Sequence, residues 1–414
     1  MPRKPAQKRI DEAIELLNKQ RKDWMRRPGV TAVDVGFKIS DDKVTSDLAL
    51  RVHVERKKPL AELADYEIFN VSAADATSKN KPKKVGAFPV DVIEATYAPE
   101  APVVVDPENA QAVNEAIDRK AVVTPLIGGV SCGNARVTAG TLACIVFSRT
   151  DGTPHILSNW HVLAGSTEAA AGEEIWQPGR VDGGSSAHLV ARLSKFRLNR
   201  DMDAAVAKLT GDRGYVRDII GLSPVAGMEE PELGMDVVKS GRTTGNTEGI
   251  IDGVSLSTAI NYGGSTGVVS FRDQIHIVPR PPWPDVDYEV SAGGDSGSVW
   301  INEDTGKAVG LHFAGETDAS PTSENAIANP IMKVADELGF SFLPVVVPRP
   351  PTDPPPQPPP RNVLRDIICR ILPFLCAGSQ DVQMVPGEMA RHEGRDVVDL
   401  IIDAIYEDIA KNRS

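Results

Sequence analysis

The stretch Ser291–Trp300, SAGGDSGSVW, sets Ser296 and the aspartate before it among three glycines. A tight turn uses glycines this way, and so does a nucleophile held against a set of backbone N–H groups. The rest of the chain decides between them. A serine hydroxyl attacks a carbonyl only where a base takes its proton, an acid orients that base and donors await the oxyanion. Upstream, Leu157–Ala164 (LSNWHVLA) places His161 directly after an apolar strand. Asp201–Leu209 (DMDAAVAKL) opens a strand of small apolar residues with Asp203, and Asp201, of the same strand parity, is its rival. His161, Asp203 and Ser296, in that order, are candidates for base, acid and nucleophile. The remaining histidines, His53, His155, His188, His276 and His392, include no pair spaced as metal ligands and are expected to be structural or at the surface.

Composition narrows the function classes. The 57 acidic residues outnumber the 45 basic ones, which argues against a general affinity for nucleic acid or an anionic membrane. The basic excess of residues 1–30 falls on a stretch where Ile10, Ile14 and Leu17 recur at helical spacing, so it reads as a solvated helix face. No apolar run is long enough to span a membrane, and MPRKPAQKRIDEAIELL lacks the apolar core of a signal peptide, so a cytoplasmic location is expected. Four cysteines, none spaced as CxxC, do not make a disulfide framework; Cys132 and Cys144 read as buried free thiols in a reducing compartment, and as a pair only in an exported protein.

Length and pattern divide the 414 residues into several units. A helix over 8–27 stops at Pro28-Gly29, and alternating runs at Thr31–Ile39, Asp47–Glu55 and Val85–Thr96 predict a hairpin and a further strand, giving an N-terminal α+β domain over 1–120. From 121 to 343 many short Val/Ile-rich runs between Gly, Asp and Asn clusters predict an antiparallel barrel or sandwich, with a helix only at Ile331–Leu338. Residues 344–360 hold ten prolines and predict an extended linker. The tail, 361–414, carries two short apolar helical faces, one from Val363 to Leu375 and one from Val397 to Ile409, which need the body, each other or a partner to cover them.

The order of the three motifs, with the serine inside GDSG, resembles the trypsin-like, chymotrypsin-fold serine protease family over about residues 128–342. Within it, VKSGRTTG at Val238–Gly245, GGVS at Gly128–Ser131 and GLHFAG at Gly310–Gly315 are similar to bacterial members related to plant Narrow leaf proteins. The resemblance implies a mainly β fold, a double antiparallel β-barrel, and a serine endopeptidase that needs no cofactor or metal. Carried over by position, it makes Ser296 the nucleophile, His161 the base, Asp203 its orienting acid, and the N–H groups of Gly294 and Ser296 the oxyanion hole. It puts Val290 at the base of the pocket for the residue before the cut, where cutters after Lys or Arg hold an acid, and His312 where glutamate cutters hold a histidine. Cleavage after Glu or a medium apolar residue is the expectation. Polypeptide is the expected substrate, with the tail a site for a partner or self-association. The rival reading is a silent or tightly regulated scaffold of the same fold that recruits a partner through its tail.

Overall fold

The computed structural model describes residues 5–40, 43–58, 62–63, 69, 84–99, 117–280, 288–316, 324–345, 363–365, 368 and 401–406. Residues Met1–Val347 form one compact unit and Pro348–Ser414 a second. In the second, 363–365, 368 and 401–406 are helical; the rest of the two tail helices and nearly all of the proline linker lie outside the described residues.

The first unit opens with α1 (Gln7–Trp24), β1 (Val30–Ser40), β2 (Lys43–Val54), β3 (Lys84–Val85), β4 (Phe88–Glu94) and β5 (Tyr97–Pro99). There follow β6 (Leu126–Gly128), β7 (Val130–Asn134), β8 (Gly140–Leu142), β9 (Ile145–Ser148), β10 (Pro154–Ser158), α2 (Trp160–Leu163), β11 (Glu174–Trp176), β12 (Leu189–Leu198), β13 (Asp203–Leu209) and β14 (Tyr215–Ile219). The last group is β15 (Asp236–Gly241), β16 (Gly245–Asn261), β17 (Val268–Pro279), β18 (Val299–Asn302), β19 (Ala308–Glu316), β20 (Ala326–Pro330), α3 (Ile331–Leu338) and β21 (Phe340–Ser341).

These strands make a mainly β protein with two antiparallel barrels. In the first, β9, β10, β13, β12, β11, β7 and β8 pair in turn, and the short link from β8 to β9 closes the ring by exchanging hydrogen bonds with Leu157. Leu142, Ile156, Ile175, Val190 and Leu193 fill its core. In the second, β15, β18, β19, β20, β17 and β16 return to β15, since β16 is long enough to pair at both ends. Its interior holds Val237, Ile251, Ile277, Trp300 and Val309.

The N-terminal elements continue this second sheet. The α1 helix turns Ile10, Ala13, Leu17 and Trp24 onto Val33, Val35, Leu48 and Leu50, burial that stabilises by about 1.5–3 kcal/mol for each large side chain. Beyond the sequence reading, β1 pairs antiparallel with β16, Ala32 facing Thr258 and Gly36 facing Gly253. At this seam the fully buried Arg51 guanidinium lies between Asp34 and Asp252. His276 Nδ1 meets Asp252 Oδ1 at 2.5 Å, His53 Nε2 meets Asp34 Oδ1 at 3.3 Å, and the Tyr97 hydroxyl meets His53 Nδ1 at 2.5 Å. Two histidines expected to be structural are thus members of one buried ionic network.

Candidate active site

Strand pairing brings the candidate residues together. Ser158 at the end of β10 faces Ala205 in β13, so His161, in the single turn of α2 just past β10, and Asp203, at the start of β13, lie at the same end of the first barrel. Asp203 is fully buried. Its Oδ1 accepts the backbone N–H of His161 at 3.2 Å, and its Oδ2 lies 2.5 Å from His161 Nδ1. That contact assigns the proton to Nδ1 and leaves Nε2 as the basic nitrogen. Asn159 and Asn329 clamp the backbone of Asp203, each donating to its carbonyl at 2.8 and 3.1 Å, and Asn329 Oδ1 accepts its N–H at 3.1 Å. Asp201 is elsewhere: its side chain is 43% exposed and lies 3.6 Å from Arg200.

Ser296 sits in the turn before β18. Thr141 of the first barrel holds that turn, its N–H donating to the Ser296 carbonyl at 2.8 Å and its hydroxyl to the Gly294 carbonyl at 2.8 Å. Gly297, at φ 98°, has no room for a side chain, because an added Cβ would overlap Ser158 Oγ and the Thr141 carbonyl. The serine turn therefore abuts the β10 end that carries His161. Ser296 Oγ donates to the Phe313 carbonyl at 3.3 Å, and His161 Nε2 is buried without a hydrogen-bond partner. Among the described residues nothing accepts the N–H groups of Gly294 and Ser296. Gly294 reaches this geometry at φ 103°.

The aspartate before the serine is held by VKSGRTTG. The buried Lys239 ammonium is 2.9 Å from Asp295 Oδ2, which also accepts the Thr244 hydroxyl at 2.5 Å, while Asp295 Oδ1 accepts the Thr243 N–H at 2.8 Å. Burial alone would raise the Asp295 carboxyl, but Lys239 and these donors bring it down to about 2. Sequence reasoning singled out the motif by resemblance and missed this pairing. It also missed Tyr262, at the tip of the β16–β17 hairpin, whose hydroxyl donates to Asp203 Oδ2 at 2.6 Å. Its YGGSTG turn reads as a hairpin tip, and nothing local says where the tip reaches.

Val290 and His312 are fully buried, as Ser296 is. Val290 packs in the second barrel's core, and the His312 ring stands edge-on to Trp300 with centroids 6.2 Å apart. Beside Val290, Glu289, Glu316 and Glu324 bring carboxylate oxygens within 4.8 Å of one another. Two of them brace backbone: Glu324 accepts the Val290 N–H at 3.4 Å and Glu316 the Asn325 N–H at 2.6 Å. Cys132 and Cys144 are free and buried, and burial pushes the Cys132 thiol up to about 12.

No family model and no curated protein sequence matches this chain. Solved structures do. A glutamic-acid-specific serine protease is 19% identical at a TM-score of 0.39, covering 52% of this chain and 99% of its own. Protease A of Thermobifida fusca is 17% identical at 0.37 over 52% and 96%. A Cellulomonas bogoriensis chymotrypsin is 16% identical at 0.38 over 53% and 98%. The chain is similar to these chymotrypsin-fold serine proteases over about half of its length, and its own strand pairing makes a mainly β fold with two antiparallel barrels.

Proposed function

We propose that this chain is a serine endopeptidase that cuts polypeptides through an acyl-enzyme. The observation that carries the reading is His161, fixed to Asp203 through both its backbone N–H and Nδ1, with a bare Nε2 beside the turn that holds Ser296. In the reaction Ser296 Oγ swings from the Phe313 carbonyl to His161 Nε2, gives up its proton and attacks the substrate carbonyl. The oxyanion takes the waiting N–H groups of Gly294 and Ser296. His161 then passes the proton to the leaving amine, and water repeats the sequence on the acyl-enzyme. Asp203 keeps the imidazole in the tautomer that presents Nε2 to the serine.

The reading extends to cleavage after Glu, or after a medium apolar residue. Val290 offers no carboxylate to a Lys or Arg, and one oxygen each of Glu316 and Glu324 is engaged by a backbone N–H. His312 is the donor at hand for an acidic side chain. Labelling by a fluorophosphonate probe, lost in Ser296→Ala, tests the chemistry; a peptide-library profile with and without His312→Ala tests the preference, and dominant cutting after Lys or Arg overturns it.

One observation favours the second reading, a tightly regulated or silent scaffold recruiting a partner through 361–414: Ser296 Oγ is bonded to the Phe313 carbonyl and not to His161. An unlabelled wild type under conditions where it is folded decides for that reading.

A further inference from the structure

Five buried groups at the seam between the N-terminal sheet and the second barrel form an unbroken line. It runs from Asp34 of β1 through His53 of β2, Tyr97 of β5 and His276 of β17 to Asp252 of β16. Asp34 Oδ1 lies 3.3 Å from His53 Nε2, and His53 Nδ1 lies 2.5 Å from the Tyr97 hydroxyl. That hydroxyl is 3.4 Å from His276 Nε2, and His276 Nδ1 is 2.5 Å from Asp252 Oδ1. None of the five residues is more than 9% exposed, so bulk water does not stand in for a missing partner.

Each of these contacts needs one proton between its two atoms. The carboxylates at the ends only accept, so His53 carries a proton on Nε2 and His276 one on Nδ1. His53 Nδ1 and His276 Nε2 are then bare acceptors on either side of Tyr97, whose phenol has a single proton to give. With both imidazoles neutral the line is one proton short: the phenol serves His53, and lone pair faces lone pair at the 3.4 Å contact. One further proton, on His276 Nε2 and donated to the Tyr97 oxygen, completes it. Charge leads to the same number. The Arg51 guanidinium bonds both Asp34 and Asp252 but balances only one of them, and it stands 3.5 Å from His276 Nδ1. The added proton makes the cluster neutral, and a net charge is costly where water is excluded. The other charged groups reaching the line, Arg21 of α1 toward Asp34 and Glu316 of β19 beside Tyr97, are of opposite sign. Asp91 of β4, next to Arg51 in register, accepts the Ile39 N–H at 2.8 Å, and β20, paired with His276 through Ile327, brings no titratable side chain. Burial holds His53 below its ordinary pKa and the Tyr97 phenol well above its own, so His53 stays neutral, the phenol keeps its proton and the added one rests on His276.

We propose that this line is a single-proton latch: one proton held between His276 Nε2 and the Tyr97 oxygen closes the seam and ties β5 of the N-terminal sheet to β17 of the second barrel. Asp34, Arg51, His53 and Tyr97 come from the N-terminal elements, Asp252 and His276 from the barrel. Within this network the barrel is met by Arg51 and by Tyr97, and only the Tyr97 contact depends on the added proton. Its loss sets two lone pairs against each other and weakens the hold on β5, which pairs with Ala314–Glu316 of β19. The proton belongs to the line as a whole. An unfolded histidine gives up its proton at about pH 6.5 while the folded line keeps its own to higher pH, so the latch contributes fully below that value and is lost on the alkaline side. It does not depend on any chemistry at Ser296.

The test uses the full chain with 15N-labelled histidine rings, read by NMR at about pH 8, where an ordinary histidine is neutral. The wild type is expected to show one doubly protonated ring in nuclear Overhauser contact with the Tyr97 ring. Tyr97→Phe, which keeps the ring and removes the oxygen that takes the proton, should show none. In the wild type, hydrogen exchange of the β5 and β19 amides, corrected for the intrinsic rate, should quicken at least tenfold as that ring turns neutral with rising pH. Wild-type rings that are all neutral at about pH 8, a charged ring away from Tyr97, a charged ring that survives in folded Tyr97→Phe, or exchange unmoved by the loss of the proton each overturns the proposal. Three of these four results need only the wild type, so they decide even where Tyr97→Phe fails to fold.

Discussion

Tyr262 and His161 meet on one atom: the phenol of Tyr262 donates to Asp203 Oδ2 at 2.6 Å, the same oxygen that His161 Nδ1 approaches at 2.5 Å. Burial, then the charge of Asp203, holds the phenol well above its ordinary pKa, so it stays a donor through the working pH range. The ring also tilts against His161, with centroids 5.9 Å apart. Tyr262 therefore holds Asp203 and His161 together. Tyr262→Phe keeps the ring and loses the donor; a hydrogen bond to a charged group contributes about 1.5–3 kcal/mol, so kcat should fall about tenfold or more with KM unchanged. Steady-state kinetics on a peptide reads the split, and an unchanged kcat removes Tyr262 from the site.

The two aspartates of DMDAAV are separated by the same kind of measurement. Asp203→Asn should lower kcat by about 10⁴-fold by favouring the wrong imidazole tautomer. Asp201→Asn, at an exposed position beside Arg200, should leave kcat within about twofold, as surface changes do.

Lys239 and Asp295 form a buried pair under the serine turn. Lys239→Met leaves a buried carboxylate without its cation and should cost about 3–5 kcal/mol, whereas Lys239→Met with Asp295→Asn should recover much of that. The folded Asp295 value, about 2, lies below its ordinary 3.8, so its contribution is complete above pH 3.8 and is lost as pH falls toward 2. Thermal unfolding of both variants against pH checks the sign and the order.

The network around Arg51 gives a second pH dependence. Burial holds His53 below its ordinary 6.5, with Asp34 pulling the other way and His276 and Arg51 adding to the lowering. His53 therefore takes up a proton on unfolding, and its contribution is complete above pH 6.5 and shrinks as pH falls below it. Asp34 and Asp252, held low by Arg51 against their burial, lose their contribution only at more acidic pH, below 3.8. The melting temperature should drop in two stages on acidification, and His53→Gln should reduce the first stage. A flat profile between pH 7 and 5 is the contrary result.

The second compact unit, Pro348–Ser414, begins within the proline linker. Removing 348–414 should change the melting temperature of the remainder by no more than about 2–4 °C, the shift expected for about 1 kcal/mol in a domain of 150–250 residues. A larger fall by calorimetry means the tail stabilises the barrels.

Local pattern in the sequence was enough for what depends on neighbours along the chain. The 3.6-residue recurrence of Ile331, Val334, Ala335 and Leu338 determined α3, and alternation around Ser40-Asp41-Asp42 determined the β1–β2 hairpin, because a periodicity reports which face a segment buries. The motif order also singled out His161, Asp203 and Ser296 as the residues to examine. Partners are another matter, since an apolar face fits many surfaces and a charge many counter-charges. Only the tertiary structure decided that β1 continues onto β16, that Asp203 and not Asp201 meets His161, that Lys239 and Asp295 pair across 56 positions, that Tyr262 reaches the same carboxylate, and that Tyr97–Pro99 pairs with Ala314–Glu316 of β19. These contacts join residues whose spacing has no fixed period, and each is selected by the closing of the two barrels around it.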